Sequence, residues 1–342
     1  STAGDVSLVT SQGDLSLGGK TVSAGRLDVT SAGGLTQSGS MSAGAAKLVS
    51  AGDMVLGGDT SSTGALAVDA GGDLHNTGSV YTTGALDVRS TGNVDNRGGL
   101  ASEQGLTVQS GGALTQDANG KLQTNGDLSI TAKAIDSKGT LASARNLTLA
   151  TQGDIDLSGT TQAGGMLGID AAGAVNNAGR LLASNALSVT AGSIGNTGAI
   201  STDGSLDLHA ANALSNSGTA YAGGKVTLGA ASFTQGASAE LSGAADVAID
   251  VAGAVANAGK LVATTSLDVK GGSVANTGTL GTQQGGMTLQ ARQGDLVLGG
   301  TVVSAAGLDG TATGAIRQSG QLAATDLKLH ADGDLETRGD IS

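Results

Sequence analysis

Apolar and polar residues alternate along this chain in short bursts, and the bursts recur at a fixed interval. The pattern apolar-x-apolar begins at Val6, Leu27, Ala46, Leu66, Leu86, Leu106, Leu128, Leu147, Leu167, Leu187, Leu206, Val226, Val247, Leu267, Met287, Leu308 and Leu327. These 17 anchors span 321 residues in 16 steps, a mean period of about 20, and no step is shorter than 19 or longer than 22. Each period holds three apolar segments. In residues 66–84 they are Leu66 with Val68, Leu74 with Asn76, and Val80, separated by Gly71-Gly72, Gly78 and Gly84. Inside a segment the period is two, which is the signature of a strand with one buried face. Gly at this density would cost a helix about 1 kcal/mol per site. A constant period of this length marks a solenoid. The predicted fold is all-β: a parallel β-helix of about 17 coils of about 20 residues, with three short strands per coil. Equivalent side chains would stack about 4.8 Å apart. A single coil cannot bury its own inward residues, so stacking would build one continuous core of Leu, Val, Ile and Ala.

Two further patterns repeat with the coils. Gly follows the second segment in most of them, from Gly39, Gly58, Gly78 and Gly98 to Gly300, Gly320 and Gly339. A turn there requires either positive φ or close backbone packing, and Gly supplies both. Two residues before that Gly, an amide recurs as apolar-x-Asn/Gln-x-Gly. It is Gln37, Asn76, Asn96, Gln116, Asn177, Asn196, Asn216, Gln235, Asn257, Asn276 or Gln318. Lying two positions after an inward residue, each amide is predicted to point inward as well and to bond its neighbours and the turn backbone as a ladder. Leu17, Leu56 and Leu298 take its place in other coils.

Composition sharpens the picture. Of 342 residues 60 are Gly, about 18% against a usual ~7%, and turn punctuation accounts for most of that excess. There is no Pro, as expected where every strand bonds on both sides. Tyr81, Tyr221 and Phe233 are the only aromatics, which suits a core a few side chains wide. With 39% hydrophobic and 13% charged residues the chain is not a disordered one. The absence of Cys excludes disulfides, thiolate metal sites and a Cys nucleophile. A net charge of −12 with singly scattered cations disfavours nucleic acid and anionic membranes as partners. No run of 18 apolar residues exists to insert in a membrane as a helix. Ser1 to Gly4 open without a charged or apolar leader, the start expected of a mature or excised segment.

Certain coils carry a family resemblance. Gly84-Ala85-Leu86-Asp87-Val88 followed by Gly92-Asn93-Val94-Asp95-Asn96-Arg97-Gly98 resembles the haemagglutinin repeats of the filamentous haemagglutinin family, as does Ser266-Leu267-Asp268-Val269 followed by Gly272-Ser273-Val274-Ala275-Asn276-Thr277-Gly278. These are large bacterial exoproteins of two-partner secretion, and the likeness is to a Bordetella-type repeat shaft over all 17 coils. The resemblance implies a right-handed β-helical shaft. It implies export, unfolded, through an outer-membrane transporter to the bacterial cell surface or medium, carrying adhesive or toxic activity outward. Missing Cys fits that route, because a disulfide would block threading. The family's secretion domain and C-terminal domains are not recognisable here, and both ends stop mid-pattern without a polar cap. Residues 1–342 are therefore expected to be a single shaft internal to a longer exoprotein.

The search for chemistry yields one motif. His75, His209 and His330 fall in the fourth, eleventh and seventeenth coils, too far apart to share a site, and are expected on the surface. Gly-Asp-apolar recurs at Asp5, Asp14, Asp53, Asp73, Asp127, Asp154, Asp295 and Asp334. The G-G-x-G-x-D calcium repeat is absent, so these Asp are expected to bond turn backbone rather than a metal. A polysaccharide lyase or hydrolase on this fold would need clustered carboxylates and long cleft-building loops. Only three Glu occur, and near-constant coil lengths leave no room for such loops. A flat Thr array for ice is likewise missing. No catalytic, cofactor-binding or metal-ligating residue is assigned. Arg338-Gly339-Asp340 matches the integrin-recognition tripeptide, in which a cation and a carboxylate flank a Gly turn. Its plain alternative is a turn Gly between two ordinary charges. Tyr81 and Tyr221 stand alone and no basic stripe exists, which places any glycan binding elsewhere in a parent chain. The expected function is a structural and adhesive shaft with a host integrin as partner. The alternatives are the spacer stalk of a contact-dependent toxin-delivery exoprotein and, remotely, a β-helical polysaccharide enzyme.

Overall fold

The computed structural model describes residues 4–342, and among them every regular element is a β-strand. The strands build a parallel β-solenoid with about 20 residues per turn. In one coil they are Leu66–Ala70, Leu74–Asn76 and Ser79–Thr82, and in the next Ala85–Ser90, Val94–Asn96 and Gly99–Ser102. First pairs with first, second with second and third with third, always parallel. The register sets Leu66 on Leu86 and Val68 on Val88, then Leu86 on Leu106 and Val88 on Val108. On the third strand Val80 meets Leu100, which meets Leu122. All of these residues are buried, and their alternating neighbours face outward. Burying a Leu or Val contributes about 1.5–3 kcal/mol. Each coil's share is realised only against the coils beside it, so stability accrues by nearest-neighbour contact.

The described coils divide into two compact units, one ending at Gly173 and the other running from Ala174 to Ser342. The second repeats the plan: Ser205–Ala210, Ala213–Asn216 and Thr219–Ala222 pair with their counterparts one coil earlier, with Leu187 on Leu206 and Val189 on Leu208. In two coils the first and second strands run together, as Leu167–Asn177 and Ala186–Asn196.

The corner glycines answer the question left open by the sequence. Gly13, with φ 76°, is the only described residue at positive φ. Most other corner glycines therefore serve close approach. Gly78 N–H donates to Leu56 O at 2.9 Å, and a Cβ at Gly78 would overlap the Gly58 carbonyl while lying 2.9 Å from Gly57 C. Gly98 sits on Gly78 in the same way. Two coils instead close this corner with a longer turn. Gly120 N–H donates to Asp117 O at 2.9 Å, and Ala239 N–H to Gly236 O at 3.0 Å. Both turns follow a Gln rather than an Asn, Gln116 and Gln235.

Candidate functional site

The inward amides are buried and bonded, as the alternation predicts. In the second unit Asn177 Nδ2 donates to Asn196 Oδ1 at 2.7 Å, Asn196 to Asn216 at 2.7 Å, and Asn216 to Gln235 Oε1 at 3.0 Å. Gln235 ends the run by donating to Lys260 O at 3.0 Å. Separate links join Asn76 to Asn96 and Asn257 to Asn276, both at 2.7 Å. Each amide-to-amide bond points to the following coil, so each run starts on an acceptor with no donor. These are Asn76 Oδ1, Asn177 Oδ1 and Asn257 Oδ1. The ladder is structural, and it is closed to ligands by burial.

The Gly-Asp residues bridge coils. Asp5 Oδ1 accepts from Arg26 N–H at 2.7 Å, Asp53 from Asp73 N–H at 2.8 Å, and Asp73 from Asn93 N–H at 2.7 Å. Asn93 and Asn146 occupy the same place and make the same bond, to Ala113 and Met166 N–H. At Asp295 the Ala315 N–H, and after it the Arg317 guanidinium, hold the carboxyl below its ordinary range. No group of three or more His, Asp or Glu able to hold a metal occurs among the described residues. His75 lies 3.6 Å from Asp95 and His330 3.4 Å from Asp332, both at the surface.

Arg338, Gly339 and Asp340 form the second corner of the last coil. Arg338 N–H donates to Gln318 O at 2.8 Å, and Gly339 N–H to Gln318 Oε1 at 3.2 Å. Gln318 Nε2 donates to Gly320 O at 2.7 Å and Asp340 O at 3.3 Å. Asp340 then enters a strand opposite Gln321. The tripeptide is thus held from below by one buried amide. Its charged side chains are exposed, and the Arg338 guanidinium is paired with Glu336.

One surface feature escaped the reading of single residues. On the outer face of the third strands, Tyr81 stands in register with Ala101, then Gln123, Ala142 and Gln162. The Tyr81 hydroxyl donates to Glu103 Oε1 at 2.5 Å, one coil on, so the ring leans along the stacking direction over Ala101. That bond, more than burial or charge, raises the phenol's pKa. A groove of about 420 Å³ runs from Tyr81 to Gln162. Reading outward third-strand positions down the 20-residue register would have revealed it.

Residues 61–159, 123–194, 182–239, 234–300 and 282–339 each match the haemagglutinin repeat, together spanning 61–339, more than half of the chain. This chain belongs to the haemagglutinin-repeat family. The haemagglutinin repeats leave residues 3–57 to a second match, described as repeats of unknown function. No curated protein and no solved structure is significantly similar to the chain. A haemagglutinin-repeat solenoid is an adhesin-like scaffold, and no helix among its described residues is long and apolar enough to cross a membrane.

Proposed function

We propose that residues 1–342 act as one shaft segment of a larger bacterial adhesin. The adhesin is secreted to the cell surface through an outer-membrane two-partner transporter, and Arg338, Gly339 and Asp340 meet a host integrin. The observation carrying the reading is the run of haemagglutinin repeats from 61 to 339, laid on a solenoid whose corners are too short to build a cleft. Its role is structural and adhesive, with catalysis assigned to no residue. Support for the receptor contact is the exposure of Arg338, 75% for its side chain, and of Asp340 on a corner fixed by Gln318. An integrin would have to draw Arg338 away from Glu336. The test is attachment of integrin-bearing cells to surfaces coated with the protein. Arg338→Ala and Asp340→Glu should each abolish the integrin-dependent fraction, and unchanged attachment would remove the motif from the proposal. The regularity of the coils favours a second reading, a spacer stalk of a contact-dependent toxin-delivery exoprotein, which needs no receptor contact in these residues.

A further inference from the structure

The groove beside Tyr81 presents side-chain amides that take no part in coil-to-coil bonding among the described residues, and its chemistry is specific. Tyr81 is 39% exposed, with its hydroxyl held by Glu103, so the ring is a fixed platform. The floor beyond it is low, because Ala101 and Ala142 alternate with Gln123 and Gln162. The side-chain amides of Gln123, Asn125 and Gln162 are exposed and make no hydrogen bond within the described residues. Every buried amide of the ladder is bonded by contrast, as Asn196 and Gln235 show. Free amides gathered on one wall, next to an ordered aromatic face, form a surface that offers both donors and acceptors without a partner.

We propose that this groove binds a neutral, extended oligosaccharide lying along the stacking direction, with one pyranose ring on Tyr81 and the hydroxyls of the following sugars on Gln123, Asn125 and Gln162. The apolar C–H face of a pyranose suits an exposed aromatic face whose far edge is polar. Vicinal hydroxyls suit amides, which donate and accept side by side. Gln123 and Gln162 are two coils apart, roughly 10 Å at the strand spacing, the reach of a disaccharide. The volume is that of a small-ligand site. Charge selects against the other polymers. No Lys or Arg lines the groove and Glu103 does, so a sulfated glycan or a nucleic acid would meet a carboxylate and no counter-charge. An added peptide strand is excluded as well, because the third strands here are already paired on both sides.

This deepens the adhesive reading, yet it stands on geometry in the unit that does not contain Arg338, so either contact can fail while the other is measured. The experiment is calorimetric titration of the whole chain with cellotetraose, maltotetraose and chitotetraose, using a heparin tetrasaccharide as the anionic comparison. At least one neutral probe should saturate a single site. Tyr81→Ala should weaken it about tenfold, equivalent to roughly 1.4 kcal/mol. Tyr81→Phe, which keeps the aromatic face but loses its tether to Glu103, should stay within about threefold. The double variant Gln123→Ala/Gln162→Ala, which leaves the ring in place, should also lose about tenfold. The heparin probe should not bind. Failure of all three neutral probes to saturate would overturn the proposal. So would undiminished binding by Tyr81→Ala and the double variant, or heparin binding that Tyr81→Ala abolishes.

Discussion

Asn196 donates its side-chain N–H to Asn216 at 2.7 Å and accepts one from Asn177 at the same distance, so it is the middle of a hydrogen-bonded row that crosses coils. Leu occupies the equivalent place elsewhere, as Leu56 and Leu298, so the site itself tolerates an apolar side chain. What Leu cannot do is serve the two amides beside it. Asn196→Leu leaves Asn216 Oδ1 without its donor and Asn177 Nδ2 with only Ala199 O at 3.3 Å. Orphaning buried polar groups costs about 1–3 kcal/mol each, and the expected loss is about 2–4 kcal/mol. Hydrogen exchange across the coils of Asn177, Asn196 and Asn216 would register it as faster opening there than in the unsubstituted chain. Unchanged protection would mean that the row adds nothing to stability.

Gly98 and Gly99 are adjacent and should respond oppositely to Ala. A Cβ on Gly98 would overlap the Gly78 carbonyl, whereas one on Gly99 meets nothing within 4 Å, and neither residue has positive φ. Gly98→Ala must push two coils apart and should cost about 2–4 kcal/mol. Gly99→Ala should be neutral or stabilising by up to about 1 kcal/mol, by restricting the unfolded chain. Thermal unfolding of the two variants side by side checks both signs. Equal destabilisation would show that the corner demands Gly for some reason other than close approach.

Asp295 should make its corner sensitive to acid. Its carboxyl is held below the ordinary value by the Ala315 N–H first and Arg317 second. A carboxyl lowered in the folded state adds stability that is present above the unfolded pKa and disappears as pH falls through the folded one. Protection of the Ala315 amide should therefore fall as the solution is acidified below the usual Asp range. Asp295→Asn keeps the acceptor oxygen, as Asn93 already does at an equivalent corner. It should remove the acid dependence while leaving the bond at neutral pH. Persistence of the same acid response in Asp295→Asn would place its origin in another group.

The period of 20 carried most of the fold, because a solenoid has few independent choices: once Leu66 stacks on Leu86, the side facing the core is settled for every later coil. The amide row was legible for the same reason, since alternation from Leu74 forces Asn76 inward. The origin of the corner glycines was not legible. Positive φ and close approach both select Gly, and only the position of the Gly58 carbonyl beneath Gly78 separates them. Arg338-Gly339-Asp340 was visible as letters, but its clamp is Gln318, a residue 20 positions away in another part of the pattern. Tyr81 was passed over because its partners, Glu103 and the column through Gln162, are neighbours only after the coils are wound.

The pairing of Leu66 with Leu86 joins residues 20 apart, and separations of 19 to 22 recur through the units. Most β folds bring together strands from distant parts of the chain and fold slowly for that reason. Here the separation over the chain length is 20/342, about 0.06, as local as in helical bundles. A coil can settle as soon as the one before it exists, with no distant segment to wait for. The closure entropy per coil is the same for the fifth as for the fifteenth, so lengthening such a chain adds folding time in proportion rather than steeply.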